Sequence, residues 1–111
     1  MLIGYARTST QDQKYSLEAQ VEELKAAGCE RLYQEEVSSV DSQRVELENA
    51  LDYIREGDIL VVKKLDRLAR SVADTVDIQK RLEAKNAGLS ILDMKIDTTT
   101  PEGRLQFNLF A

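Results

Sequence analysis

Ser9 follows Arg7 by two residues at the end of a short apolar run, within the stretch Tyr5-Ala6-Arg7-Thr8-Ser9-Thr10. Later strand-like runs are followed by further cations and one acid: Arg44, then Asp66, Arg67 and Arg70. A serine hydroxyl is a weak nucleophile at neutral pH and needs activation or a strongly stabilised transition state. For attack on a phosphodiester, the main demand is neutralising charge on the non-bridging oxygens, with attacking and leaving oxygens in line. Guanidinium suits that demand, because it stays charged and its planar fork binds phosphate oxygens in pairs. Several arginines around one serine is what metal-free phosphoryl transfer requires. Each piece also has a plain structural reading: a strand end and turn at Ser9, a helix-surface residue at Arg70, solvated strand-end charge at Lys63 and Lys64.

Composition narrows the chemistry. The 111-residue chain has no histidine, so no Ser-His-Asp triad and no histidine-containing zinc site can form. Its one cysteine, Cys29, excludes an internal disulfide and a thiolate-based structural metal site, and fits a reducing cytoplasm. Any metal would need carboxylates, with Asp58, Asp66, Asp93 and Asp97 the candidates, and most acids read instead as solvated helix faces. Neither a metal nor a cofactor is expected. No apolar run approaches the roughly 20 residues of a membrane span, and no signal-peptide pattern opens the chain. The net charge of −5 disfavours a broad nucleic-acid-binding face. Lys63, Lys64, Arg67 and Arg70 nevertheless cluster, which predicts a local basic pocket for one phosphate.

The elements that must position these residues alternate. Residues 2–6 read as a strand whose carboxyl end delivers Arg7 and Ser9, the place where open α/β sheets bind ligands. A helix over 16–27 follows, capped by Ser16, striped by Leu17, Val21 and Leu24, and stopped at Gly28. A short strand at 31–34 leads into a polar loop over 35–43, expected to be poorly ordered without a ligand. A helix over 45–56 carries Leu47, Ala50, Leu51 and Ile54 on one face. The continuous apolar run at 59–62 is that of a buried parallel strand. A helix over 71–85 has Val72, Val76 and Leu82 as inward candidates, and a strand at 89–92 closes the series. Such alternation predicts one α/β domain over 1–111, a mostly parallel sheet flanked by helices.

The end of the chain reads as a helix start: Thr100 as N-cap, Pro101 at the first helical position, Glu102 in the first turn. Leu105, Phe107, Leu109 and Phe110 are then too apolar to end in water alone. Either this turn folds back onto the sheet, or a longer helix has been cut and the chain is a fragment. We expect the latter.

Together the residues resemble the catalytic domain of serine recombinases, the resolvase/invertase family. The resemblance rests on Tyr5-Ala-Arg-Thr-Ser-Thr10, on Arg44 in Asp41-Ser-Gln-Arg-Val-Glu-Leu47, on Lys64-Leu-Asp-Arg-Leu-Ala-Arg70 and on Asp97-Thr-Thr-Thr-Pro-Glu-Gly-Arg104. It covers essentially the whole chain. It implies that Ser9 is the nucleophile of site-specific DNA recombination, forming a covalent 5′-phosphoserine bond and releasing a 3′ hydroxyl. Arg7, Arg44, Arg67 and Arg70 match its phosphate-clamping arginines, and Asp66 an aspartate that orients an arginine or helps move the hydroxyl proton. Tyr5 and Gln20 match supporting positions, and Lys63 and Lys64 are candidate DNA contacts. The implied partners are double-stranded DNA and further copies of the chain, as a homodimer and a synaptic homotetramer. The family's long dimer-interface helix and C-terminal DNA-binding domain would follow where this chain stops, so the fragment alone should be inactive. Ser38-Ser39 stands where Ser-Gly is usual, Val45 replaces a proline, Glu35 an aspartate, and Thr8 a valine. Two other readings compete: a recombinase-like interaction module that has lost its chemistry, and a carboxylate-metal α/β phosphatase or nuclease.

Overall fold

The computed structural model describes residues 1–9, 14–37, 44–69 and 71–110, apart from the side chains of Ser9, Lys14, Tyr15, Ser16, Val37, Asp66 and Phe110. The predicted mobile loop falls mostly on residues 38–43, outside the described residues. So do Arg70 and the side chains of Ser9 and Asp66.

Five strands form one sheet in the order β2-β1-β3-β4-β5. They are β1 (Leu2–Ser9), β2 (Arg31–Val37), β3 (Ile59–Val62), β4 (Gly88–Ile91) and β5 (Ile96–Asp97). The first four pair in parallel, and β5 pairs with β4 antiparallel through Ser90 with Asp97 and Ile91 with Ile96. Helices α1 (Lys14–Ala26), α2 (Val45–Tyr53) and α3 (Val72–Ala84) make the parallel crossovers, and α4 (Pro101–Phe110) follows β5. The expected α/β architecture is the one observed.

Strand alternation sorts the core into two faces. Ile3 and Tyr5 of β1, Leu60 and Val62 of β3, and Leu89 and Ile91 of β4 face Leu47, Leu51, Ile78, Leu82 and Phe107. Ala6 and Val61 face the other way, onto Leu24 of α1. Cys29 packs in that smaller cluster, where burial pushes its thiol up to about 11. Helix α1 begins at Lys14, ahead of the expected Ser16 cap, and ends in a Schellman turn. There Cys29 N–H bonds the Leu24 carbonyl and Gly28 N–H the Lys25 carbonyl, with Gly28 at φ 101°. Two Arg–carboxylate forks join α2 to α3: Arg44 to Asp74, and Arg81 to Glu48.

Three expectations need correcting. Strand β2 runs to Val37, because its backbone pairs with β1 as far as Ser9↔Val37, so Glu35 is in the sheet and not in the loop. Helix α2 stops at Tyr53, not 56, because Ile54 turns extended (φ −60°, ψ 139°) yet stays buried. Val72 and Val76 point outward, 63% and 38% exposed, while Thr75, Ile78, Gln79 and Leu82 form the inner face of α3. Ser71 caps α3 by accepting from Asp74 N–H, and Thr75 and Gln79 share the buried stripe of Ile78 and Leu82, which turns Val72 and Val76 outward. The N-terminus of α4 is as expected: Thr100 Oγ1 accepts the Gly103 N–H at 3.0 Å.

Candidate active site at the carboxyl end of the central strand

Strand β1 outruns one of its neighbours. Its pairing with β3 ends at Gly4↔Val61, while its pairing with β2 continues to Ser9. In a parallel ladder the N–H and C=O of one residue point to the same side, so beyond Gly4 the β3 side of β1 loses its partner. Gln20 of α1 takes that place at Arg7. Its Nε2 donates to the Arg7 carbonyl at 3.0 Å and its Oε1 accepts the Arg7 N–H at 3.3 Å. Gln20 is buried, as a side chain standing in for a strand must be.

On the α2/α3 side of β1, the buried Tyr5 hydroxyl donates to Glu35 Oε2 at 2.7 Å. Glu35 also accepts the backbone N–H groups of Glu46 and Leu47, so one β2 carboxylate caps the start of α2. That placement suits the positive end of the helix dipole. Burial, and then the bond to Glu35, push the Tyr5 phenol well above its ordinary value, while the charges of Arg7 and Arg44 pull the other way. Tyr5 therefore holds its proton and is badly suited to attack. Thr8 is buried on the opposite face, with Ala6. Ser9 is the last residue of β1.

Arg44 occupies the N-cap position of α2. Its Nη1 donates to Asp74 Oδ2 at 2.8 Å and to the Leu68 carbonyl at 2.9 Å, and its Nη2 donates to Asp74 Oδ1 at 2.9 Å. The bonds to Asp74 raise the guanidinium above its already high ordinary value. After β3, a 3-10 turn over Leu65–Arg67 carries Asp66 and the half-buried Arg67, anchored by buried Leu68 and Ala69. Arg70 lies outside the described residues.

The basic cluster is less free than its spacing implies. Lys63 is held by both carboxylate oxygens of Glu23 on α1, and lies 3.9 Å from Asp93. Lys64 also lies 3.9 Å from Asp93. Both ammonium groups thus have acidic neighbours within the chain. Of the acids named as possible metal ligands, Asp58, Asp93 and Asp97 are likewise occupied and spread out. Asp58 takes the N-terminal ammonium at 3.2 Å at the amino end of β3, and Asp97 accepts from Thr99 N–H and Oγ1. Among the described residues, no cluster of three or more such ligands could hold a metal.

A family model for the N-terminal domain of resolvases matches residues 2–111. The chain belongs to the resolvase family. This resolvase domain is 48% identical over 110 residues to a probable DNA-invertase, y4cG, of Sinorhizobium fredii, which covers 99% of this chain and 35% of that protein. It is 36% identical over 111 residues to the transposon Tn917 resolvase of Enterococcus faecalis, covering 100% of this chain and 59% of that protein. It thus spans less than two thirds of the length of either curated relative. A crystal structure of a resolvase family site-specific recombinase from Streptococcus pneumoniae matches with a TM-score of 0.79 at 25% identity, over 97% of this chain and 80% of that one. The N-terminal catalytic domain of TP901-1 integrase has the same fold, with a TM-score of 0.77 at 23% identity, over 97% and 88%. No described helix of the resolvase domain is long and apolar enough to cross a membrane.

Tyr5 and Arg7 of β1 come together with Gln20, bonded to the Arg7 backbone, and with Arg44, whose charge acts on Tyr5. Two participants escaped the sequence reading. Glu35 was legible in hindsight, because Tyr33-x-Glu35 on one strand puts a carboxylate on the core side. Asp74 was hidden as an ordinary first-turn acid of α3. What the arrangement offers chemically is a concentration of fixed guanidinium charge at one strand end, in a chain that is acidic overall.

Proposed function

We propose that this resolvase domain is the catalytic domain of a longer site-specific DNA recombinase, and that Ser9 is its nucleophile. The observation that carries the reading is the placement of Arg7 two residues before Ser9 at the carboxyl end of β1, with Arg44 near enough for both guanidinium charges to act on Tyr5 of the same strand. The Ser9 oxygen attacks a backbone phosphorus of double-stranded DNA and the bond to the 3′ oxygen breaks. A 5′-phosphoserine diester forms, and the hydroxyl proton ends on the released 3′ hydroxyl. One ester is exchanged for another, so rejoining runs the same step backwards without an external energy source or a cofactor.

Arg7, Arg44, Arg67 and Arg70 neutralise the non-bridging oxygens as charge develops. Asp66 either orients an arginine or carries the proton. Gln20 and the Tyr5–Glu35 pair set the geometry of the strand end. Lys63 and Lys64, already beside acids, contribute to DNA contact only by exchanging those acids for phosphate. Recombination needs two strands cut in each of two sites, so the working form is a homodimer on each site and a homotetramer at synapsis. The test is to trap DNA on the full-length recombinase through an alkali-labile serine linkage. Ser9→Ala should bind the recombination site as the parent does and give no covalent adduct. A substantial adduct in that variant would show that another group attacks.

A further inference from the structure

The fork of Arg44 is partly spent. Its Nη1 donates to Asp74 and to the Leu68 carbonyl, and its Nη2 to the second Asp74 oxygen. A guanidinium has five N–H donors in fixed directions. The three bonds to described residues use its end, and the pair formed by Nε–H and the second Nη2–H lies along its long side. Two parallel donors of that kind fit two oxygens of a phosphate.

What holds the end is rigid. Asp74 stands in the first turn of α3, with its backbone N–H on the capping Ser71 hydroxyl at 3.1 Å. Leu68, whose carbonyl takes the other Nη1 proton, is fully buried. Arg44 itself stands at the N-cap of α2 with φ −102° and ψ 73°, and its side chain makes no capping bond to that helix. The Arg44 and Asp74 side chains are 16% and 18% exposed, so the contact is largely withdrawn from water. Displacing Asp74 by a DNA phosphate would leave that carboxylate without its fork in a place where solvent is scarce, a costly exchange. Binding phosphate on the long side avoids the exchange.

We infer that Asp74 is the positioning residue for Arg44, fixing the end of its guanidinium so that the Nε/Nη2 edge is presented to the scissile phosphodiester. The inference rests on the reading of Arg44 as a phosphate ligand given above. Asp74 touches no DNA in this scheme. It acts by holding the clamp aligned before substrate arrives, which removes the ordering of a long side chain from the cost of reaching the transition state.

The experiment is single-turnover cleavage by the full-length recombinase of DNA carrying its site, for the parent, Arg44→Ala, Asp74→Asn, Asp74→Glu and the Arg44→Ala/Asp74→Asn double variant. Loss of Arg44 should slow cleavage on the order of 10²-fold or more, the scale for one well-placed transition-state donor. Asp74→Asn should slow it about 10-fold or more with DNA affinity little changed, and Asp74→Glu should recover part of that loss. Residues that act as a unit are not additive, so the double variant should be no slower than Arg44→Ala. Millimolar guanidinium should partly restore Arg44→Ala and should fail in the double variant, a difference that a mere loss of α3 stability would not produce. Additive losses, equal rescue in both backgrounds, a parental rate in Asp74→Asn, or faster cleavage in it would each overturn the role of Asp74. A parental rate in Arg44→Ala would instead overturn the phosphate-ligand reading beneath it.

Discussion

Gln20 donates to the carbonyl and accepts from the N–H of a single residue, Arg7, with the two ends of its side-chain amide. A helix side chain thereby completes the ladder of a strand that its neighbour has left. Gln20→Ala strands a donor and an acceptor beside the core, at a cost of about 1–3 kcal/mol. Thermal unfolding of this chain should show a Tm lower by roughly 5–15 °C. Gln20→Glu keeps an acceptor for the Arg7 N–H but sets a carboxylate against the Arg7 carbonyl, and should fare no better at neutral pH. An unchanged Tm in Gln20→Ala would mean that the two bonds are incidental.

Replacing Arg67 or Arg70 by lysine in the full-length recombinase should cost most of the cleavage rate. Charge is kept, but an ammonium cannot supply two donors in one plane. The expected loss is on the order of 10²-fold or more. Near-parental cleavage by both variants would assign these arginines to structure.

Gly103 is buried where α4 crosses β5, and a Cβ there would overlap the Asp97 carbonyl. Gly103→Ala must push α4 off the sheet and loosen Phe107, which is 3% exposed. Overpacking of this kind costs about 1–3 kcal/mol. By contrast Leu109 is 76% exposed, so Leu109→Ala should change the stability of this chain by no more than about 0.5 kcal/mol. Denaturant titration of the two variants side by side checks the contrast, and equal losses would contradict the packing of α4.

Arg81 grips Glu48 with both terminal nitrogens, at 2.9 and 2.7 Å, and holds that carboxyl below its ordinary 4.5. A carboxyl with a depressed folded-state pKa contributes stability above its unfolded value and loses it as pH falls through the folded one. Both side chains are substantially exposed, so the contribution at pH 7 is modest, about 0.2–1 kcal/mol. Glu48→Gln should be less stable than the parent by that amount at pH 7, with the gap closing in acid, below the ordinary carboxyl range. Urea titrations at neutral and acid pH read both values. A gap that persists in acid would point to packing and not charge.

The fold was largely legible because its signals are local. The apolar run at Ile59–Val62, set off by Gly57-Asp58, has the pattern of a buried parallel strand, and Thr100-Pro101-Glu102 is a helix start by side-chain chemistry alone. Errors arose where pairing between distant segments overrode local polarity. Glu35 looked like loop because it is charged, yet it lies in the parallel ladder opposite Arg7 of β1. The two-residue β5 has too few positions to show any alternation. Val72 and Val76 looked inward because they are apolar, but burial of Ile78 and Leu82 on one stripe of α3 turns both outward.

By itself, the sequence determined the chemistry available. With no histidine and one cysteine, a Ser-His-Asp triad and a thiolate metal site are closed, and Ser9 with Arg7, Arg44, Arg67 and Arg70 is the set of groups that pointed to phosphoryl transfer. Residue identity limits which bonds can be made, and that limit needs no coordinates. Only the tertiary structure decided which of those groups are committed. It bound Lys63 to Glu23 across 40 residues, Arg44 to Asp74 across 30, and the Tyr5 hydroxyl to Glu35 across 30. Such partners are chosen by the crossing of helices over a sheet, where side chains far apart in sequence are brought within hydrogen-bond distance and shielded from water. Charge that reads as free along a chain is free only if the fold leaves it without a neighbour.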